Sequence, residues 1–255
     1  MLSVSSDQLF TWMSAFLWPF IRILALITTA PVISHRSIPA RVKIGLAVAI
    51  TIIVAPTLPT AAPAATAAWN GLGLLAMQAG IGAAMGFMLR MIFAAIELAG
   101  DLVGLSMGLS FATFVDPQNS DQSPLIGSFL GVIASLVFLA LNGHLIMING
   151  VVESFRVFPV GLPVSGNAVP LRDFAMMGGE VFRIGVHLAL PVITALLVCN
   201  LAIGVMTRAA PQLNLMSFGF PVGLLAGLWM LWMAMPWMVT AMQAHIERSL
   251  TLLLR

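Results

Sequence analysis

The sequence predicts an all-α, polytopic membrane protein of about six long helices arranged in hairpins. Three observations predict it. Of 255 residues, 60% are hydrophobic and only 8% are charged, whereas a soluble domain carries about 25% charged residues. The apolar residues fall into long runs near the roughly 20 residues that a membrane helix needs. Connections rich in proline or charge separate these runs. So little polar surface cannot wet a globule, and most of the outer face must meet lipid, partner helices or both.

Taken in order, the spans are Leu9–Val32, Val42–Leu58, Leu72–Ala99, Ser128–Asn149, Met176–Met206 and Leu213–Met242. Met1 to Leu9 carries Asp7 and no Lys or Arg, so it lacks the basic region of a cleavable signal peptide. The first span is expected to act as its own insertion signal. The next connection, Ser34 to Lys43, holds His35, Arg36, Arg41 and Lys43, the densest basic cluster in the chain. The positive-inside rule places it in the cytoplasm. Pro56 to Asn70 carries no charge, and Pro56, Pro59 and Pro63 keep it out of helix; it reads as an external loop. Alternation puts Asp101–Pro124 inside, Val151–Asp173 outside and Thr207–Gln212 inside, where Arg208 agrees. It also puts Arg248 and Arg255 outside, against the rule. Either the count is off by one or lipid does not govern these ends. The third and fifth spans are long enough to tilt, kink or leave the bilayer.

Composition narrows the chemistry. The eleven Lys and Arg are scattered and the net charge is +2, so no basic stripe points to nucleic acid. Cys199 is the only cysteine, which excludes an internal disulfide or a cysteine metal cluster. In its apolar run it reads as a small hydrophobe.

Several spans carry charges that lipid penalises, at roughly 2.5–3.5 kcal/mol for an ion at the bilayer centre. Arg22 lies midway along the first. Arg90, Glu97 and Asp101 follow one another at spacings of seven and four, which puts all three on one helical face. Glu180, Arg183 and His187 share a face in the same way. These groups are expected to face partner helices or water. They read as paired charges at subunit contacts, or as part of helices that do not sit at bilayer depth, before they read as an ion or proton route.

Small residues recur at helical spacing: Gly82 and Gly86; Gly100, Gly104 and Gly108; Gly127 and Gly131; Gly219, Gly223 and Gly227. Such faces let helix backbones approach closely, so dense helix packing is expected.

Two enzyme signals are weak. Gly104-Leu105-Ser106-Met107-Gly108 matches G-x-S-x-G, but that motif works on a strained strand-to-helix turn, and an apolar helix precedes it here. His144 and His187 could in principle partner Ser106, yet nothing resembles an oxyanion site. His35, His144, His187 and His245 lack the i, i+4 pairing of a helical metal site. No cofactor is expected. The tract Met230, Met233, Met235, Met238 and Met242 is either a deformable seal or ordinary core and lipid-facing surface.

Two connections are unusual. Gly108-Leu-Ser-Phe-Ala-Thr-Phe-Val-Asp-Pro-Gln118 passes two aromatics and then breaks at Asp116-Pro117, a helix-averse step; the polar run Asn119 to Pro124 follows. Arg208-Ala-Ala-Pro-Gln-Leu-Asn-Leu-Met-Ser-Phe-Gly-Phe-Pro221 is a tight hairpin. Pro211 breaks the helix there, Gln212 and Asn214 can satisfy freed backbone groups, and Arg208 suits a helix C-terminus.

Together with Ala30-Pro31 and Ile38-Pro39-Ala40 of the first loop, these segments resemble the FliR family of the flagellar type III export gate, to which injectisome subunits are similar. The resemblance covers nearly the whole chain. It implies a single-copy subunit of the bacterial inner membrane and the flagellar basal body, assembled with FliP and FliQ subunits into a helical, hetero-oligomeric gate. It implies a FliP-like portion over residues 1–150, a connection over 151–175 and a FliQ-like helix pair over 176–255. The loop over 108–122 would plug the closed pore, through Gly108, Phe111, Phe114, Asp116, Pro117 and Gln118. The hairpin, with Arg208, Pro211, Gln212, Asn214, Gly219, Pro221, Gly223 and Gly227, would contact neighbouring subunits or the cytoplasmic entrance. The substrates would be unfolded flagellar subunits. Two alternatives stand beside this reading. One is a small transporter using Glu97, Asp101, Glu180 and His187; the other is an intramembrane hydrolase using Ser106.

Overall fold

The computed structural model describes residues 6–58, 68–109, 125–160, 171–209 and 219–253. Among them are seven α-helices: α1 (Ser6–Thr29), α2 (Ala40–Val54), α3 (Ala68–Ser106), α4 (Leu125–Ala140), α5 (Gly143–Val157), α6 (Leu171–Ala209) and α7 (Phe220–Leu253). A single 3-10 turn, Ala55–Thr57, ends α2. The chain is thus an all-α protein with no strand among the described residues.

Four helical stretches are long and apolar enough to cross a membrane: Ala40–Thr57, Gly71–Ser106, Gly178–Ala209 and Phe220–Thr251. The count becomes five if α4 and α5 form one broken span. The expected count of six differs from this at two places. The described apolar stretch of α1 is only Ala15–Thr29. The expected span Ser128–Asn149 is broken at Leu141–Asn142, where Asn142 takes the left-handed conformation (φ 54°). Asn visits that region at low cost, and the Asn142 carbonyl accepts the N–H groups of Leu145 and Ile146 to start α5. A count of apolar residues does not register one Asn-Gly turn inside a greasy run.

The long helices exceed the bilayer. Both α3 and α6 have 39 residues, and at ~1.5 Å per residue each is about 58 Å long. The hydrocarbon core is about 30 Å thick. Tilting alone does not absorb that excess at observed angles, so each helix projects beyond the hydrocarbon. The charges on α3 and α6 lie on helices with length to spare.

The chain divides into two compact units. The first holds α1, α2, α3 up to Arg90, α5 and the end of α7 from Glu247. Its core includes Ile23, Leu26, Ile27, Leu89, Met147, Val151 and Phe155, all buried. Gly82 and Gly86 bring α3 directly onto the backbone of α1. A Cβ on Gly82 would strike the Arg22 carbonyl, and one on Gly86 would lie 2.8 Å from the Ala30 nitrogen.

The second unit holds α3 from Met91, α4, α6 from Phe174 and α7 to Ile246. Its core includes Ile96, Val103, Leu130, Leu188, Leu196, Met238 and Met242. Phe93 and Phe138 meet edge to face at 5.9 Å. The Met tract is split here: Met238 and Met242 are buried, while Met233 is exposed beside Trp229 and Trp232. Gly100 and Gly127 form the closest crossing, since a Cβ on Gly100 would sit 2.6 Å from the Gly127 Cα. Backbone cannot yield as a side-chain tip can, so Gly100→Ala is expected to destabilise the chain by about 1–3 kcal/mol. Gly204 meets nothing within 4 Å, and Gly204→Ala should stabilise by up to about 1 kcal/mol through helix propensity. Thermal unfolding of both variants in detergent checks the pair; equal midpoints would reject the close crossing.

Candidate functional site

The described part of the expected plug segment is its first two residues, and they show how the segment leaves its helix. Gly108 has φ 82°. Its N–H bonds to the Leu105 carbonyl, and the Leu109 N–H reaches back to the Gly104 carbonyl. This pair of bonds around a left-handed glycine is the Schellman termination. Gly108 therefore belongs to a helix end, for which only a residue without a Cβ is cheap. Spacing grouped it with Gly100 and Gly104, while its place at the start of the plug segment already pointed to a helix end. Phe111, Phe114, Asp116, Pro117 and Gln118 lie outside the described residues.

The end of α3 is held from two sides. The Asn200 side chain of α6 donates to the Ser106 carbonyl across 3.4 Å. On α7, a Cβ at Gly227 would lie 2.5 Å from the Met107 side chain, so Met107 fills the notch that Gly227 leaves. Gly223, one turn earlier, lies against Asn200, its hypothetical Cβ 3.8 Å from Oδ1. The small-residue face of α7 thus receives both groups that hold the base of the loop. Sequence reading found Gly223 and Gly227 and missed Asn200 and Met107. The signal for Met107 was its place one residue before a helix-ending glycine.

The hairpin side is described in part. Arg208 is exposed in the last turn of α6, Gly219 is buried at the start of α7, and Pro221 is exposed. Pro211, Gln212 and Asn214 lie outside the described residues.

The intramembrane charges separate into three groups. Glu97 and Asp101 of α3 lie over glycines of α4. A Cβ on Gly131 would be 3.1 Å from Glu97 Oε1, and one on Gly127 would collide with Asp101 Oδ1. These glycines make room for carboxylates as well as for backbone. Arg90 is exposed. On α6, Arg183 pairs with Glu180 at 3.3 Å, and both are exposed. His187 packs at 5.6 Å against the Trp237 ring.

Arg22 stands apart. It is fully buried. Its Nε donates to Gln78 Oε1 at 2.8 Å, Nη1 to Ser154 Oγ at 3.0 Å, and Nη2 to the Phe158 carbonyl at 2.9 Å. Its guanidinium carbon sits 3.8 Å over the Phe155 ring. One planar cation on α1 thereby ties α3, α5 and the residue just past α5 within the first unit. The fixed fork of an arginine allows this; a lysine has one donor atom.

Ser106 does not sit on a strand-to-helix turn. It occupies the final turn of α3, and its hydroxyl donates to the Leu102 carbonyl at 2.8 Å. The described residues contain no group of three or more His, Cys, Asp or Glu placed to hold a metal ion.

Long apolar helices with exposed greasy stripes, glycine crossings and a buried arginine define the class: a polytopic α-helical membrane protein packed for close helix contact. Comparison with known proteins gives the family. The profile described as Bacterial export proteins, family 1, matches residues 13–249. The Escherichia coli K12 flagellar biosynthetic protein FliR is 44% identical over 237 residues, which covers 92% of this chain and 90% of the relative. The Pectobacterium carotovorum FliR is 45% identical over 240 residues, with the same coverage of 92% and 90%. The Bacillus subtilis FliR is 33% identical over 210 residues, covering 82% of this chain and 81% of the relative. The chain belongs to family 1 of the bacterial export proteins, and its resemblance to the FliR family is thereby shown.

Proposed function

We propose that this chain is the FliR-type subunit of a flagellar type III protein export gate in the bacterial inner membrane. One copy joins FliP and FliQ subunits and completes a pore through which unfolded flagellar proteins cross. Residues 1–150 are its FliP-like portion, 151–175 a connection, and 176–255 its FliQ-like helix pair. That division is one of lineage, and compactness follows different lines. The segment 108–122 plugs the closed pore.

The observation that carries this reading is the held end of α3. A plug must swing while its root stays fixed. Gly108 turns the chain out of the helix, and Asn200 and Met107 fix the root against α6 and α7. The exposed apolar stripe Leu125, Phe129, Val132, Leu136 and Leu139 on α4 gives neighbouring subunits or lipid a contact face, since patches of this kind mark interaction surfaces. The chain's task is passive: it shapes and seals a conduit, and energy enters through other parts of the apparatus.

Purification from membranes with its neighbours, followed by native mass measurement, tests the assembly. The expected result is one copy of this chain with several FliP and FliQ copies. Recovery of the chain as a stable, monodisperse monomer would sink the proposal. A second measurement tests the grip. Gly227→Leu displaces Met107, and it is expected to raise ion leakage through the assembled gate without changing subunit composition.

A further inference from the structure

The first unit contains a cavity of about 140 Å³ between α1, α2 and α5. Ile27 and Ile33, Leu46 and Ile50, and His144 and Met147 line it. Its wall is apolar throughout. A dry cavity of this size takes apolar guests and leaves water out.

Its position sets which guest is available. Ile33 and Leu46 both line the cavity, and the segment that joins them holds His35, Arg36, Arg41 and Lys43. The basic cluster therefore lies at that end of the cavity. Lys43 is engaged by the loop itself, donating to the carbonyls of Ser34 at 2.8 Å and His35 at 3.2 Å. Arg36 and Arg41 are exposed. The end of α5 is anchored to Arg22 through Ser154 and Phe158. Since α1 continues from Arg22 towards Ile33, α5 runs antiparallel to it, and His144 at the start of α5 comes to the basic end. His144 Nδ1 is buried and has no hydrogen-bond partner among the described residues.

We propose that this cavity takes a short segment of an acyl chain of an anionic phospholipid, whose headgroup phosphate rests on Arg36 and Arg41. Two features converge on that ligand and on no purely apolar guest. The hydrocarbon pocket takes a few methylenes of the tail. Two exposed guanidiniums at its mouth match a phosphate, which arginine holds bidentately. The anionic cytoplasmic leaflet supplies such lipids to juxtamembrane basic clusters. A partner-protein side chain in the cavity is the competing occupant.

The test uses the chain assembled with its neighbouring subunits, in nanodiscs of phosphatidylethanolamine with a minor share of phosphatidylglycerol. A phosphatidylglycerol carrying a photoactivatable acyl chain is added, and cross-linked peptides are mapped by mass spectrometry. The expected labelling concentrates on α2 and the first half of α5, above that of the exposed α4 stripe. Ile50→Trp, which fills the cavity, should abolish the excess; Leu46→Phe does the same should the first variant fail to fold. The double variant R36Q/R41Q should weaken phosphatidylglycerol labelling about thirtyfold and leave a phosphatidylcholine probe unchanged, as two charges of about 1 kcal/mol each imply. Three results would overturn the proposal. They are even labelling of all exposed helices, equal labelling by the two headgroups in the unaltered chain, and a disulfide between Ile50→Cys and a partner subunit in the assembled complex.

Discussion

Deletion of residues 108–122 is expected to make membranes leak ions wherever the export gate assembles. A conduit wide enough for an unfolded chain is far wider than a hydrated ion, so a closed state exists only if something fills it. On the plug proposal, Phe111 and Phe114 of the segment would supply the apolar contacts, and two phenylalanines buried in this way would contribute roughly 3–6 kcal/mol before costs. That suffices to hold a seal against thermal opening, and a driven substrate can displace it. The deletion ends α3 just short of Gly108, with Asn200 still in reach of the Ser106 carbonyl, so the gate should still assemble. Patch recording or ion flux in vesicles containing the complex gives the readout. Phe111→Ala with Phe114→Ala should give a smaller leak of the same kind. A complex that carries the deletion and stays as tight as the parent would end the plug assignment.

Arg22→Ala is expected to be among the most damaging single substitutions to the fold itself. It removes three hydrogen bonds and a cation–π contact in a site with no solvent exposure. Interhelical hydrogen bonds in membrane proteins average about 0.6 kcal/mol and reach about 1.7, so three of them give roughly 2–5 kcal/mol. The lost stem adds a cavity. The substitution also strips the Gln78 and Phe158 oxygens of the donors that Arg22 gave them. Ser154 loses less, because its hydroxyl donates to the Val151 carbonyl at 2.6 Å and that bond survives. Arg22→Lys keeps the charge and cannot reach three acceptors, so it should not rescue stability. Unfolding midpoints in mild detergent, with the yield of inserted protein, provide the measurement. A midpoint unchanged in Arg22→Ala would remove Arg22 from the list of structural ties.

Much of the fold was legible from residue type and spacing. The second, third, fifth and sixth spans are visible as apolar runs because lipid imposes a length and a composition. The glycine pairs were legible as close approaches, and Gly82, Gly86, Gly100 and Gly127 do sit on backbone or side chain of a facing helix. Gly108 was legible both as one more glycine in a series and as the first residue of the plug segment. Its role at the helix end depends on the Leu109 and Gly104 backbone, which spacing does not report. The break at Asn142 was missed because hydropathy averages over a window, and one left-handed residue vanishes in that average. Arg22 was visible as an expensive charge. Its acceptors were not, because Gln78 and Ser154 lie 56 and 132 residues away in sequence and carry no opposite charge to draw notice.

The sequence alone thus determined the solvent this protein lives in, the helical form forced by that solvent, and the family to which its loops and hairpin belong. Each follows from local quantities: hydropathy per residue, the cost of an unpaired backbone group in hydrocarbon, and short motifs. Tertiary structure alone decided which small residues meet which neighbours, how the base of the loop is held by Asn200 and Met107, and how the buried Arg22 finds neutral partners. Those outcomes depend on side chains distant in the chain meeting within hydrogen-bond or van der Waals range. No periodicity in one strand of text encodes that distance.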